Sequence, residues 1–283
     1  ARLDHWALRA ASLEEKEKQL HQQLPPEAQR VLKGKRIHLL SEMGSHIGWK
    51  DRGLMNDIIT GFPIVGSLPR TGGAFPPRLR QSTIPTETLF KQSKIAQAQA
   101  WADCGPSADP ERDKVITEGT QEEEDNGWLS PPLSADEIIK RVGPLWTPAP
   151  RFGVEQKGKT RLVDDYSRYS INGTVESFEK VDLKGIDEVS ALAKAWGTAV
   201  NWETRRVIVT LSDGRSLEAP LGEDWAEEDI RALNGKCLDL AHAYKQFGRR
   251  REHGHAAVII TWNSKKKEKG LRLAYALGFG PVG

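Results

Sequence analysis

Four clusters of side chains in this chain could do chemistry. In Cys237-Leu238-Asp239-Leu240 an apolar run ends on a carboxylate, and Tyr244 follows five residues later. A carboxylate carried to a strand end is a hard oxygen donor of the kind that holds divalent cations. The plainer alternative is a strand end whose Asp caps the next turn. Lys157, Lys159 and Arg161 crowd a second short stretch. A guanidinium fork there matches phosphate oxygens, or Arg161 pairs with the nearby Asp164 or Asp165. Leu277-Gly278-Phe279-Gly280 sets an aromatic between glycines that permit close backbone approach; the alternative is a simple turn. Finally, Lys245 to Arg272 holds nine Lys and Arg against two Glu, with runs at Arg249-Arg250-Arg251 and Lys265-Lys266-Lys267. Such a block suits contact with a polyanion, or it marks two solvated loops flanking a hairpin.

The elements that must position these groups can be read from periodicity. Residues 151–156 and 161–165 are apolar strands on either side of Lys157-Gly158-Lys159, the pattern of a β-hairpin. A helix over residues 224–233 leads into a strand at 237–240, and residues 255–262 and 271–277 form a second strand pair. Residues 206–211 and 216–219 flank Ser212-Asp213-Gly214-Arg215 as another hairpin, after a helix over 185–196 with Val189, Leu192 and Trp196 at helical spacing. Upstream, helices are expected over 12–24, closed by Pro25-Pro26, over 51–60, stopped by Gly61, and over 86–102. Residues 61–85 read as an extended wrapping segment. Ser134-Ala135-Asp136-Glu137 is a capping box that starts a helix to Val142. Asp109 to Asp125 carries eight acids against two bases, so residues 105–132 read as a partly disordered connection, and 143–150 as a proline-rich linker.

In this order the motifs resemble those of reverse transcriptases, the RNA-directed DNA polymerases of retroelements. The hairpin Arg151 to Asp165 with Tyr166 and Asn172 is similar to the fingers segment. Asp239 to Gln246 is similar to the first palm motif, and Leu277 to Gly280 to the motif bordering the nucleotide pocket. Gly61-Phe62-Pro63-Ile64-Val65-Gly66 and Gly127-Trp128-Leu129 resemble the leader of one retrotransposon-derived group. There are departures: Lys157 stands at the usual turn Asp, Thr160 at the usual Trp and Gly278 at the usual Pro. Val163-Asp164-Asp165 precedes Asp239 and therefore belongs with the fingers, not with the second metal motif.

The resemblance implies an α+β fold: an incomplete right hand, with fingers and the first part of an antiparallel palm sheet over 143–283, behind a mostly helical leader over 1–142. It implies Mg²⁺ held by the Asp239 carboxylate and the Leu240 carbonyl. Arg161 would hold the triphosphate, with Lys157 and Lys159 assisting. Tyr244 would sit below the sugar 2′ position, and Phe279 and Gly280 would line the base. The partners implied are an RNA or DNA template-primer and a dNTP, with the basic block on the backbone phosphates. The family's Tyr-x-Asp-Asp motif is expected some tens of residues beyond Phe279, so the stretch is expected to be a fragment, inactive by itself. The rival expectation is a non-catalytic remnant that at most binds nucleic acid.

Composition narrows the classes. The 283 residues carry 41 Lys and Arg against 39 Asp and Glu, and only two cysteines. Cys104 and Cys237 lack zinc spacing and read as free thiols. His253-Gly254-His255 lacks partners at ligand spacing and reads as a loop or strand edge. No apolar run is long enough to span a bilayer and no signal peptide is visible, so no membrane partner and an intracellular location, cytoplasmic or nuclear, are expected.

Overall fold

The computed structural model describes residues 2–181, 185–211, 213–228 and 241–281. The fold is mixed α+β and divides into two compact units: Ala1–Lys180 with Ala241–Gly283, and Val181–Leu240. The sequence-derived boundary at 142/143 falls inside the first unit. Half of the expected helix at 224–233 lies outside the described residues, and the strand at 237–240 entirely so.

The first unit begins with five helices: α1 (Arg2–Ser12), α2 (Glu14–Gln23), α3 (Pro26–Val31), α4 (Ile37–His46) and α5 (Leu54–Thr60). Pro25-Pro26 ends α2 as expected, yet it also starts α3. Proline at the first helical position loses no intrahelical hydrogen bond, because the first N–H groups of a helix have no partner within it. Leu24, Leu32, Ile37 and Ile58 form a small core here, and Phe62 and Phe247 pack against it with ring centroids 5.4 Å apart.

Gly61 closes α5 at φ +91°, where a Cβ would collide with the Arg249 backbone. The next residue makes an isolated bridge to a distant segment: Phe62 N donates to Gly248 O (2.8 Å), and Arg250 N donates to Phe62 O (2.9 Å). The leader is thus tied to the segment that follows the Asp239 motif. Residues 61–85 are mostly irregular, apart from β1 (Pro77–Arg80), which pairs with β4 (Ser177–Glu179).

A four-stranded sheet forms the centre, in the order β3-β2-β8-β9. β2 (Pro148–Gln156) and β3 (Lys159–Asp164) are the expected hairpin. Its turn has positive φ at both Lys157 (53°) and Gly158 (72°), which matches strand twist. β8 (Val258–Asn263) and β9 (Glu268–Leu273) are the second pair.

The sheet is mixed, because Pro148, Ala149 and Pro150 run parallel to Val258, Ile259 and Ile260. Residues 148–150 are therefore strand, where a linker was expected. Thr147 N donates to His255 O (2.7 Å) on one side, while Pro150 O accepts from Asp165 N (2.8 Å) on the other. Alternation turns the prolines' missing donors away from β8, so a central strand tolerates them.

Helices α6 (Glu87–Asp103), α7 (Pro110–Asp125) and α8 (Ala135–Val142) pack on this sheet. Residues 256–260 are buried throughout and centre the main core with Leu89, Leu129, Ile138 and Tyr166. Ser134 and Glu137 form the expected capping box. The acidic stretch read as a partly disordered connection contains α7. Asp109 caps it, accepting from Arg112 N (3.1 Å), Pro110 opens it, and Ile116, Thr117 and Thr120 are buried.

The second unit holds α9 (Ile186–Ala199) and a three-stranded sheet of β5 (Val200–Asn201), β6 (Arg206–Thr210) and β7 (Ser216–Pro220). The β6–β7 hairpin is the one the sequence indicates. Trp196 and Trp225 meet edge to face at 5.9 Å. Val189 and Leu192, at helical spacing, are exposed.

Candidate functional site

Three stretches far apart in sequence meet in the first unit: the end of β3, the turn at Tyr244, and the loop at residues 277–280. β3 is one of the sheet's two outer strands, and the loop closes on its last residue: Asp164 N donates to Phe279 O (3.1 Å). The Asn172 amide donates to Gly280 O (2.9 Å) and to Ser167 Oγ (2.9 Å). Gly280 has φ +148°, and a Cβ there would run into the Asp164 carbonyl. A Cβ on Gly278 would come to 3.0 Å from the Asp164 carboxylate. Both glycines are therefore required by the approach of this loop to β3.

The Tyr244 turn is held beside the same loop. Tyr244 lies in a short 3₁₀ turn, Ala243–Gln246, entered through His242 in the left-handed region. Leu277 N donates to Phe247 O (2.9 Å), and Gly248 bridges Ala276. The Tyr244 and Phe279 rings meet edge to face at 5.7 Å, and both are substantially exposed, Tyr244 at 57% and Phe279 at 45%.

A buried ionic relay fixes the geometry from behind. Arg151 is fully enclosed and grips Asp164 with two bonds (Nε–Oδ1 2.7 Å, Nη2–Oδ2 3.0 Å). The same Nη2 reaches Glu123 (2.7 Å), Nη1 donates to Thr120 (3.2 Å), and Lys245 closes on Glu123 (2.9 Å). The relay links the residue after Tyr244 to the strand end under Phe279. Burial alone would favour a neutral Arg151, but Asp164 and Glu123 outweigh it and hold its pKa above the ordinary value. Tyr166, buried beside Asp164, has its phenol pKa raised, first by burial and then by that carboxylate.

The hairpin presents its cations on the side away from α7. Leu162 lies against Gly119 of α7, and Thr160 shares the space over Gly153 of β2 with Arg112 of α7. Alternation then places Lys159 and Arg161 on the other face, beside the exposed Phe152 and Val154. Arg161 takes neither of the partners open to it in sequence. Asp164 belongs to Arg151, and Asp165 accepts from the backbone N–H groups of Ser167 (3.0 Å) and Arg168 (2.9 Å). Among the described residues Arg161 makes no ion pair. It stands three residues, roughly 10 Å, along the strand from Asp164.

Asp239 and Leu240, the metal-holding pair implied by the resemblance, lie outside the described residues. Whether the hairpin cations share a cleft with Asp239 therefore lies outside them too. Among the described residues no group of three or more His, Cys, Asp or Glu could hold a metal ion. The nearest carboxylate to the loop, Asp164, is committed to Arg151.

The basic block is largely absorbed by the fold. The half-buried Arg249 guanidinium donates to the carbonyls of Ala274 (2.6 Å), Arg250 (2.9 Å) and Arg251 (3.2 Å). Arg250 pairs with Asp57 (3.0 Å), and Arg272 lies 3.5 Å from Glu124. Lys265 reaches Glu118 (3.3 Å) and Lys266 reaches Glu268 (3.8 Å), both exposed. Arg251 is 81% exposed with Glu27 at 3.8 Å, and Lys267 is exposed.

His253 is half-buried: its Nδ1 accepts Ile64 N (3.1 Å), and burial lowers its pKa to about 4. Cys104 is a free thiol whose pKa burial raises. Sequence reasoning missed Arg151 and Glu123, whose partnership spans 28 residues and carries no local signature. No helix among the described residues is long and apolar enough to cross a membrane. No protein-family model matches the chain, and no curated protein sequence matches it.

Proposed function

We propose that this chain is part of an RNA-directed DNA polymerase, with the Tyr244–Phe279 pair and the β2–β3 hairpin forming its incoming-nucleotide site. The observation that carries the reading is the closure of the Phe279-Gly280 loop onto the strand that bears Arg161, with Tyr244 against the same loop. Tyr244 and Phe279 lie 35 residues apart in the chain, and burial gives them no reason to stand exposed side by side. A base and sugar give them one.

In this reading Arg161 holds the triphosphate through its guanidinium fork, and Lys157 and Lys159 add point charges at the hairpin tip. Phe279 lines the base and Gly280 lets the backbone approach it. Tyr244 lies below the sugar and excludes a 2′-hydroxyl by contact. Asp239 and the Leu240 carbonyl would hold Mg²⁺, which supplies charge stabilisation for nucleotidyl transfer to a primer 3′-hydroxyl. On the template-primer backbone, Arg251 and Lys265 to Lys267 remain available, whereas Arg249 and Arg250 are committed internally.

Sugar discrimination tests the reading. With Mg²⁺ present, a fluorescent dNTP should bind more tightly than the matching ribonucleotide, and Tyr244→Ala should bring the two affinities together. Equal affinities in the unmodified protein would contradict the assignment of Tyr244.

A further inference from the structure

A second dense group of basic residues lies far from the Lys245–Arg272 block in sequence, in Arg30-Val31-Leu32-Lys33-Gly34-Lys35-Arg36. Helices α2 and α3 are joined at Pro25-Pro26, and residues 33–36 leave α3 through Gly34 at φ +76°. Together they enclose an open bowl of about 760 Å³. Its floor is internally satisfied. The buried Glu17 carboxylate accepts from Ile37 N (2.9 Å) and Leu39 N (3.0 Å), which occupies the N-terminus of α4. His21 Nε2 bonds Lys35 O (2.8 Å), and Lys35 Nζ donates to Val31 O (2.8 Å).

The rim is different. Arg30, Lys33 and Arg36 are exposed and make no ion pair among the described residues. The aliphatic stem of Arg30 packs near Gly127, which steadies the side chain without using its charge. Of the two carboxylates that line the bowl, Glu17 is consumed by α4 and Glu14 faces Lys18 (3.1 Å). Unpaired like charges around one concavity repel each other and contribute nothing to folding. They make sense as a site for an anion with several charges.

We infer that this bowl grips the phosphodiester backbone of a nucleic acid, at a surface separate from the nucleotide site. The concave shape favours a phosphate ridge that enters it over an anionic membrane, which would meet only the rim. The inference needs neither Asp239 nor a metal nor a nucleotide, so it stands or falls apart from the polymerase reading.

The test uses the full chain and a fluorescein-labelled single-stranded RNA, with anisotropy read from 50 to 200 mM salt and no Mg²⁺. The triple variant Arg30→Gln, Lys33→Gln, Arg36→Gln should fold normally by circular dichroism. It should lose about tenfold or more in affinity at low salt, and its log–log salt slope should shrink by about two, the counterions released at three contacts. The companion triple Lys265→Gln, Lys266→Gln, Lys267→Gln should change both less. Unchanged affinity and slope in the first triple would overturn the inference. So would a larger loss in the second triple, or phosphatidylserine vesicles that bind as tightly as RNA through the same three residues.

Discussion

Two sets of cations in this molecule differ in what holds them. Arg151, Lys245, Arg249, Arg250 and Arg272 are turned inward onto carboxylates or carbonyls. Arg30, Lys33, Arg36 and Arg161 face solvent and, among the described residues, pair with nothing. By number of basic residues the stretch from Lys245 to Arg272 is the stronger polyanion candidate, but most of its charge is spent within the fold. Charge density in a sequence measures what is present, whereas binding depends on what is left unpaired. The acidic helix α7 is the other half of this account: Glu123, Glu124 and Glu118 are partners to cations far along the chain.

The sharpest break between the sets should be in stability. Arg151→Met strands the buried Asp164 carboxylate and leaves Glu123 to Lys245 alone, and it should cost about 3–5 kcal/mol in urea denaturation. It should also loosen the Tyr244–Phe279 pairing, seen as altered tyrosine fluorescence. A loss below about 1 kcal/mol would mean that the relay does not hold the site. Arg249→Met removes the donor to three backbone carbonyls and should cost about 1–3 kcal/mol. A neutral result there would return Arg249 to the solvated set.

His253 sharpens the comparison through pH. Its folded pKa of about 4 lies below the usual value of 6.5, because burial disfavours the charged ring. Between these values the unfolded chain binds more protons, so stability should fall as pH drops from 6.5 toward 4. His253→Gln should flatten that part of the curve, and an unchanged pH profile would contradict a half-buried, neutral His253. Smallest of all should be the free set: Arg161→Gln, or neutralisation of Arg30, Lys33 and Arg36, should shift stability by no more than about 0.5 kcal/mol. A larger loss would show that those side chains are structural after all.

What the sequence disclosed was local. The β2–β3 hairpin, the capping box at Ser134 and the stop at Gly61 each rest on neighbours within a few residues, and each appears where expected. The helix at Pro110–Asp125 was hidden because its acids look unsatisfied until Arg151, Lys245 and Arg272 arrive. The first three residues of β2, 148–150, are hidden because prolines look like breakers until the pairing partner on each side is known. Of the candidate site, the aromatic and glycine positions were legible as motifs. The relay behind them was not, since ion pairs between distant elements leave no period or spacing.

The most direct test of the central claim is Mg²⁺-dependent binding of a fluorescent dNTP to the 283-residue chain, followed by anisotropy. The account predicts binding that requires Mg²⁺, is lost in Asp239→Asn, and weakens about tenfold in Arg161→Gln, the loss of one charge-assisted phosphate contact. Binding that is indifferent to Mg²⁺ and to both substitutions, or no binding at all, would contradict it.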